Sequence, residues 1–166
     1  MKSDNGSEFV SGTMRDFFAS QGIDYQTSCV DTPQQNGRVE RKHRHILEVV
    51  RALRFQAHLP LKFWGECVLT AVHLINLMPT PTLKGKSPYE VLFKRKPNYN
   101  HLKVFGSLCY AHNHDKHRDK FSTRAHRCIF LGYSHGQKGY KVYDLEREKV
   151  FVSRDVIFYE TEFPFQ

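Results

Sequence analysis

The hydrophobic period of this chain changes near residue 100, and no other feature constrains its fold as much. Before the change, apolar residues recur at helical intervals. Val39, Ile46, Val50, Leu53 and Ala57 form one stripe along a long helix predicted from Arg38 to His58. Leu59-Pro60-Leu61 breaks it, and a second helix is predicted from Lys62 to Leu77. That second helix is apolar nearly all round (Phe63, Trp64, Cys67, Val68, Ala71, Val72, Leu74, Ile75), so it is expected to be buried. Pro79 and Pro81 end it. Ser87-Pro88 then supplies an N-cap and a first-turn proline for a short helix through Phe93. After the change, β-branched and aromatic runs appear at 104–112, 128–133, 139–145, 149–153 and 156–159. Short strands at this spacing predict a small antiparallel barrel. The expected organisation is a helical part at 1–93, a linker at 94–103, a barrel at 104–160 and a tail at 161–166.

The first 37 residues read as short elements. Met14, Phe17 and Phe18 have helical spacing over 13–20, and Gly22 suits the position just past a helix end. Residues 23–29 alternate loosely and predict a strand. Asp31 to Gly37 is a loop in which Thr32, Pro33 and Gln35 also fit an N-cap, a first-turn proline and a capping-box glutamine.

The formal net charge is +8 over 166 residues, which favours a polyanionic partner. The excess is uneven. Residues 1–60 hold eight Lys/Arg against seven Asp/Glu, and residues 61–166 hold seventeen against ten. Thirteen Phe and eight Tyr give the chain apolar surface to bury, so it is not a disordered tail. The cysteines at 29, 67, 109 and 128 form no CxxC pair, which argues against a zinc ribbon or a disulfide framework and fits a reducing compartment. His112, His114 and His117 near Cys109 and Cys128 lack the spacing of a closed zinc site. The N-terminus has no apolar signal region. The longest apolar stretch, Val68 to Leu77, is too short for a bilayer, so no membrane association is expected.

Two carboxylates stand out. Asp4 sits in a polar turn, and Glu40 sits in the first turns of the long helix with 35 residues between them. Paired carboxylates hold divalent metals for phosphoryl transfer on nucleic acid. The plainer reading is an Asp-Asn-Gly turn and a glutamate that favours the helix dipole.

The flanking residues bear on that choice. Ser3-Asp4-Asn5-Gly6-Ser7-Glu8-Phe9 and Thr32-Pro33-Gln34-Gln35-Asn36-Gly37-Arg38-Val39-Glu40-Arg41 resemble the integrase cores of copia-type retrotransposons. The resemblance continues through Leu59 to Trp64, Lys86 to Glu90, His101 to Gly106 and Phe151 to Asp155, and so covers almost the whole chain. It implies an α/β fold: the back part of an RNase H-like core, mostly helices with the first strands missing, followed by a small antiparallel SH3-like β-barrel. It implies that Asp4 and Glu40 are the second and third carboxylates of a catalytic Asp-Asp-Glu set. The first aspartate and the family's zinc-binding module lie upstream, and nothing here matches them, so this chain is expected to be inactive alone.

By the same resemblance, Mg²⁺ or Mn²⁺ would be held by Asp4 and Glu40, and DNA would be the partner. In the intact family protein an activated water trims the element's 3′ end. The exposed 3′-hydroxyl then attacks a target phosphodiester, within a homo-multimer in the nucleus. Gln35 and Asn36 lie in the loop that matches the segment beside the family's active site, where their amides can hydrogen-bond DNA. Arg44 stands one turn from Glu40 and can contact a phosphate, helped by Arg41 and Lys42. Ion pairing of Arg44 with Glu40 and Glu48 is the plainer alternative. In the barrel, Lys138 and Lys141 beside Tyr140 suit phosphate contact and stacking, unless the tyrosine is core. A competing reading is a non-catalytic nucleic-acid-binding remnant of a degenerate element. A third is a folded module with no nucleic-acid role.

Overall fold

The computed structural model describes residues 2–3, 6–27, 29, 37–113, 123–134 and 136–166. Asp4, Gln35, Asn36 and the expected Thr32-Pro33 cap lie outside the described residues. The chain divides into two compact units, Met1–His45 and Ile46–Gln166.

In the first unit, strand β1 (Lys2–Ser3) pairs in parallel with β2 (Gln26–Thr27), with Ser3 opposite Thr27. Of the strand expected over 23–29, the described residues form Gln26–Thr27. Helices α1 (Ser7–Val10) and α2 (Gly12–Ser20) follow β1. Ser11 caps α2 by accepting from the Met14 amide. At its other end, Gly22 takes a φ of +62°, with its N–H on the Ala19 carbonyl and that of Ile23 on the Phe18 carbonyl. This is the left-handed helix stop that the glycine predicts. Phe18 is buried and stacks on Tyr25 at 5.0 Å, and the Tyr25 hydroxyl meets Ser3 Oγ at 2.9 Å.

Helix α3 (Gly37–Gln56) is the long helix expected from the apolar stripe. That stripe is buried in the second unit, at Val50 and Ala57, with Ile46, Val49 and Leu53 packed beside Val50. Val39, at the other end of the stripe, is exposed. A 3₁₀ turn (Leu61–Phe63) leads into α4 (Trp64–Leu77), and α5 (Pro88–Phe93) follows with Ser87 Oγ accepting from the Glu90 amide.

The expectation that α4 is buried all round is corrected. Its buried residues are Cys67, Thr70, Ala71 and Leu77, while Trp64, Leu69 and Val72 are exposed. Small side chains at 67, 70 and 71 let the helix lie close on the sheet.

That sheet has five antiparallel strands in the order β6-β5-β4-β3-β7: β3 (Leu108–His112), β4 (Ala125–Tyr133), β5 (Tyr140–Asp144), β6 (Lys149–Ser153) and β7 (Val156–Tyr159). The architecture is thus helices followed by a five-stranded antiparallel sheet. Strand β3 starts at Leu108 rather than Val104, because Gly106 turns the chain with φ +77°.

Central β4 is buried on both faces. Ile129 and Leu131 pack with Ala57, Phe63, Cys67, Ala71 and Phe105. Cys128 and Phe130 point the other way, among Cys109, Ala111 and Val142. Phe130 meets Tyr133, Tyr140 and Phe158 edge-on at 5.3–5.7 Å, pairs worth about 0.5–1.5 kcal/mol each beyond area burial. Two glycines set how closely the layers approach. A Cβ on Gly106 would lie 2.2 Å from the Ala57 Cβ, and one on Gly132 would lie 2.3 Å from Thr70 Oγ1.

The segment expected as a linker, 94–103, is tied down on several sides. The Tyr99 hydroxyl donates to the Leu77 carbonyl, and Tyr140 donates to the His101 carbonyl. The Lys103 ammonium pairs with Glu160 at 3.0 Å.

Candidate nucleic-acid interface

The candidate residues Glu40, Arg41, Lys42 and Arg44 all lie on the first two turns of α3, and all are exposed. Arg38, His43 and His45 share these turns and are exposed too. The residues from 38 to 45 therefore carry four cationic side chains against one carboxylate. The Arg41 guanidinium folds back over the first turn, 3.6 Å from where a Cβ on Gly37 would sit.

Helix energetics do not account for this pattern. Cations near a helix N-terminus face the positive end of the dipole, at a cost of about 0.3–1 kcal/mol each when exposed. Glu40 is the one favourable charge there. Ion pairing does not account for it either: among the described residues, no ion pair joins Arg44 to Glu40 or to Glu48. In general, the first backbone N–H groups and the dipole of a helix favour negative charge at this end.

Asp4, Gln35 and Asn36, the other residues singled out in the sequence, lie outside the described residues. The described residues come close on both sides. Ser3 ends β1 one position before Asp4, and Gly37 opens α3 one position after Asn36. Oxygen-donor carboxylates are the donor type that Mg²⁺ or Mn²⁺ takes, and an exposed carboxylate such as Glu40 is accessible to such a cation.

In the second unit the two candidate lysines have different surroundings. Lys138 is exposed in the turn before β5. Lys141 is held by Glu66 of α4, Nζ to Oε2 at 2.9 Å. The aromatic beside them, Tyr140, packs its ring against Phe130 and Phe158 at 5.7 and 4.9 Å. It packs against the core of the sheet, the plainer of the two alternatives for this tyrosine.

The sheet also contains a polar cluster that the sequence did not reveal. Asp144 is buried, and its Oδ1 accepts from the amides of Glu146 and Arg147 at 2.9 and 3.0 Å. Its Oδ2 lies 3.4 Å from His126 Nδ1 and 4.0 Å from Arg147 Nε. His126 is eighteen residues away in sequence, on the neighbouring strand, so no local signal links the pair. Beside it, Cys109 and Cys128 face each other across β3 and β4. Burial pushes both thiols up, that of Cys128 to about 12. Lys62 is raised by its hydrogen bond to the Tyr143 hydroxyl, at 3.0 Å.

Comparisons with known proteins bear on both units. Residues 107–166 match the retroviral polymerase SH3-like domain. Over 163 residues, 98% of this chain, the sequence is 42% identical to the retrovirus-related Pol polyprotein from transposon RE1 of Arabidopsis thaliana. Over 162 residues it is 41% identical to that from transposon TNT 1-94 of Nicotiana tabacum. The chain spans only 11–12% of the length of those relatives. Among solved structures, a chain of the simian T-cell lymphotropic virus intasome in complex with PP2A regulatory subunit B56 gamma is loosely similar. Its TM-score is 0.46 at 15% identity, covering 92% of this chain and 54% of that one.

Proposed function

Because the chain belongs with the retrovirus-related Pol polyproteins of plant transposons, we propose that it is the integrase part of such a polyprotein and that it binds DNA through the first two turns of α3. The carrying observation is the exposed run of Arg38, Arg41, Lys42 and Arg44 around Glu40 at a helix N-terminus. Phosphate contacts come mainly from such side chains and from helix N-termini. Gln35 and Asn36, which directly precede the helix in sequence, add amide contacts to the same DNA. Lys138 and Lys141, in the second unit, offer phosphate contacts of their own, and there a phosphate competes with Glu66 for Lys141.

In this reading Asp4 and Glu40 hold Mg²⁺ or Mn²⁺, and the activity is DNA integration by 3′ processing and strand transfer. The cation supplies charge stabilisation at the reacting phosphate. The chain's own residues orient the DNA. Glu40 provides an exposed carboxylate beside the phosphate track, and Arg44, one turn on, neutralises the backbone next to it. The working form is a homo-multimer acting on element ends and target DNA in the nucleus. No helix among the described residues is long and apolar enough to cross a membrane.

The test is duplex binding by fluorescence anisotropy across a salt series, with Arg41, Lys42 and Arg44 replaced together by alanine. Each lost phosphate contact lowers the slope of log K against log salt by about 0.9, so the triple variant loses about 2.7. An unchanged slope refutes the interface. A strand-transfer assay with Asp4→Asn and Glu40→Gln separates two outcomes: turnover that both substitutions abolish supports the catalytic reading, and DNA binding without turnover supports the non-catalytic remnant.

A further inference from the structure

We propose that the groove between α4 and α5 binds an acidic amphipathic peptide segment of a partner protein. This site lies within the second unit and does not depend on the DNA reading. The groove encloses about 760 Å³, and its walls are two helical stripes that face each other. Leu69, Val72, His73 and Asn76 come from α4 at spacings of three, four and seven, while Tyr89, Leu92 and Phe93 come from α5.

These side chains are not core. Leu92 is 73% exposed and Phe93 55%, and Leu69 is exposed as well. Exposed large apolar side chains contiguous in one concave surface mark an interaction site rather than ordinary surface scatter. Two facing apolar stripes suit an amphipathic helix laid along a groove, with anchors at i, i+3 and i+7.

Charge selects the occupant. Lys94, Arg95 and Lys96 stand between Phe93 and Pro97, which both line the groove, and all three are exposed. Arg95 is fixed at the wall. Its Nε donates to the Tyr89 hydroxyl at 3.1 Å, and its guanidinium lies 5.9 Å from the centre of that ring. Lys94 holds a left-handed conformation at the end of α5, with its N–H on the Glu90 carbonyl. Lys84 and Lys86 precede the same helix and are exposed. Five cations between 84 and 96 thus face a single carboxylate, Glu90. An acidic segment gains from this rim, whereas a basic one is repelled. Nucleic acid fits the rim but not the walls, because Leu69, Val72 and Leu92 offer a phosphate no donor.

The test uses the intact chain and an unbiased probe: a displayed library of random peptides of about 16 residues, enough for about four helical turns. Binders are selected on the wild type and counter-selected on Leu92→Asp, a substitution at an exposed position. The proposal expects Leu or Phe anchors at helical spacing with Glu or Asp between them. It expects a synthetic peptide of that consensus to lose about tenfold in affinity to Leu92→Asp and to Arg95→Glu alike. Circular dichroism confirms that both variants are folded, and Arg95→Glu carries the test if Leu92→Asp is not. No enrichment over the counter-selection, or a basic consensus, overturns the proposal. So does sedimentation that shows a dimer dissolved by Leu92→Asp, which makes a second copy the occupant. Duplex DNA binding weakened by Leu92→Asp overturns it as well.

Discussion

Replacing Gly106 with alanine tests how the helices are seated on the sheet. Two separate costs arise there. Gly106 has φ +77°, a region where an L-residue is strained by about 1–2 kcal/mol. The new methyl would also sit 2.2 Å from the Ala57 Cβ, which is itself fully buried. Neither atom belongs to a flexible side chain, so the backbone must move, and overpacking of this kind costs about 1–3 kcal/mol. The expected total is about 2–5 kcal/mol, a large part of the roughly 5–15 kcal/mol available to a domain.

Gly85→Ala is the internal control, because Gly85 has φ +81° and a Cβ added there would meet no atom within 4 Å. It incurs the conformational cost alone. Urea unfolding followed by circular dichroism should place Gly106→Ala about 1–3 kcal/mol below Gly85→Ala. In thermal unfolding, the difference corresponds to about 4 °C or more per kcal/mol for a unit near 100 residues. Equal losses in the two variants would refute the close approach of Ala57 to Gly106.

Four further outcomes follow from the same packing. Gly132→Ala should destabilise through the 2.3 Å approach to Thr70 Oγ1, and Thr70→Ala should recover part of the loss, since the next atom, Thr70 Cβ, is 3.6 Å away. A double-mutant cycle by urea unfolding gives the coupling, and strict additivity contradicts the contact. Asp144→Ala should cost about 1–3 kcal/mol, because it leaves the Glu146 and Arg147 amides without their acceptor, while Asp144→Asn should cost less; equal losses count against this turn. Among the cysteines, Cys29 is exposed and the other three are buried, so a thiol reagent should modify one cysteine per native chain and four in guanidinium. Because burial raises the Cys128 thiol from 9.0 to about 12, its contribution to stability is complete below pH 9 and is lost as pH rises from there to about 12. Denaturant midpoints that stay flat across that range contradict the burial.

Much of the fold was legible because local chemistry and tertiary packing agree. Ser87-Pro88 starts α5 where the cap predicts, and Gly22 stops α2 through its positive φ. Strands β6 and β7 have the bounds that β-branched alternation gives. What was not legible depends on pairs distant in sequence. The apolar circumference of α4 reads as burial, but the sheet covers only the face of Cys67, Thr70 and Ala71. The remaining apolar side chains, with α5, build an open groove. No spacing rule predicts that Gly132 faces Thr70, or that Asp144 sits beside His126. In the candidate interface, helical periodicity placed Arg41, Lys42 and Arg44 together on α3, and their exposure is what the structure adds. Tyr140 shows the opposite case: lysine neighbours suggest a stacking surface, whereas Phe130 and Phe158 claim the ring.

The most direct test of the DNA reading is to map duplex-induced amide shifts by NMR over the assigned chain. The largest changes should fall between residues 37 and 45, at the start of α3, and fade as salt is raised. Shifts confined to the strands, with the first turns of α3 silent, would contradict it.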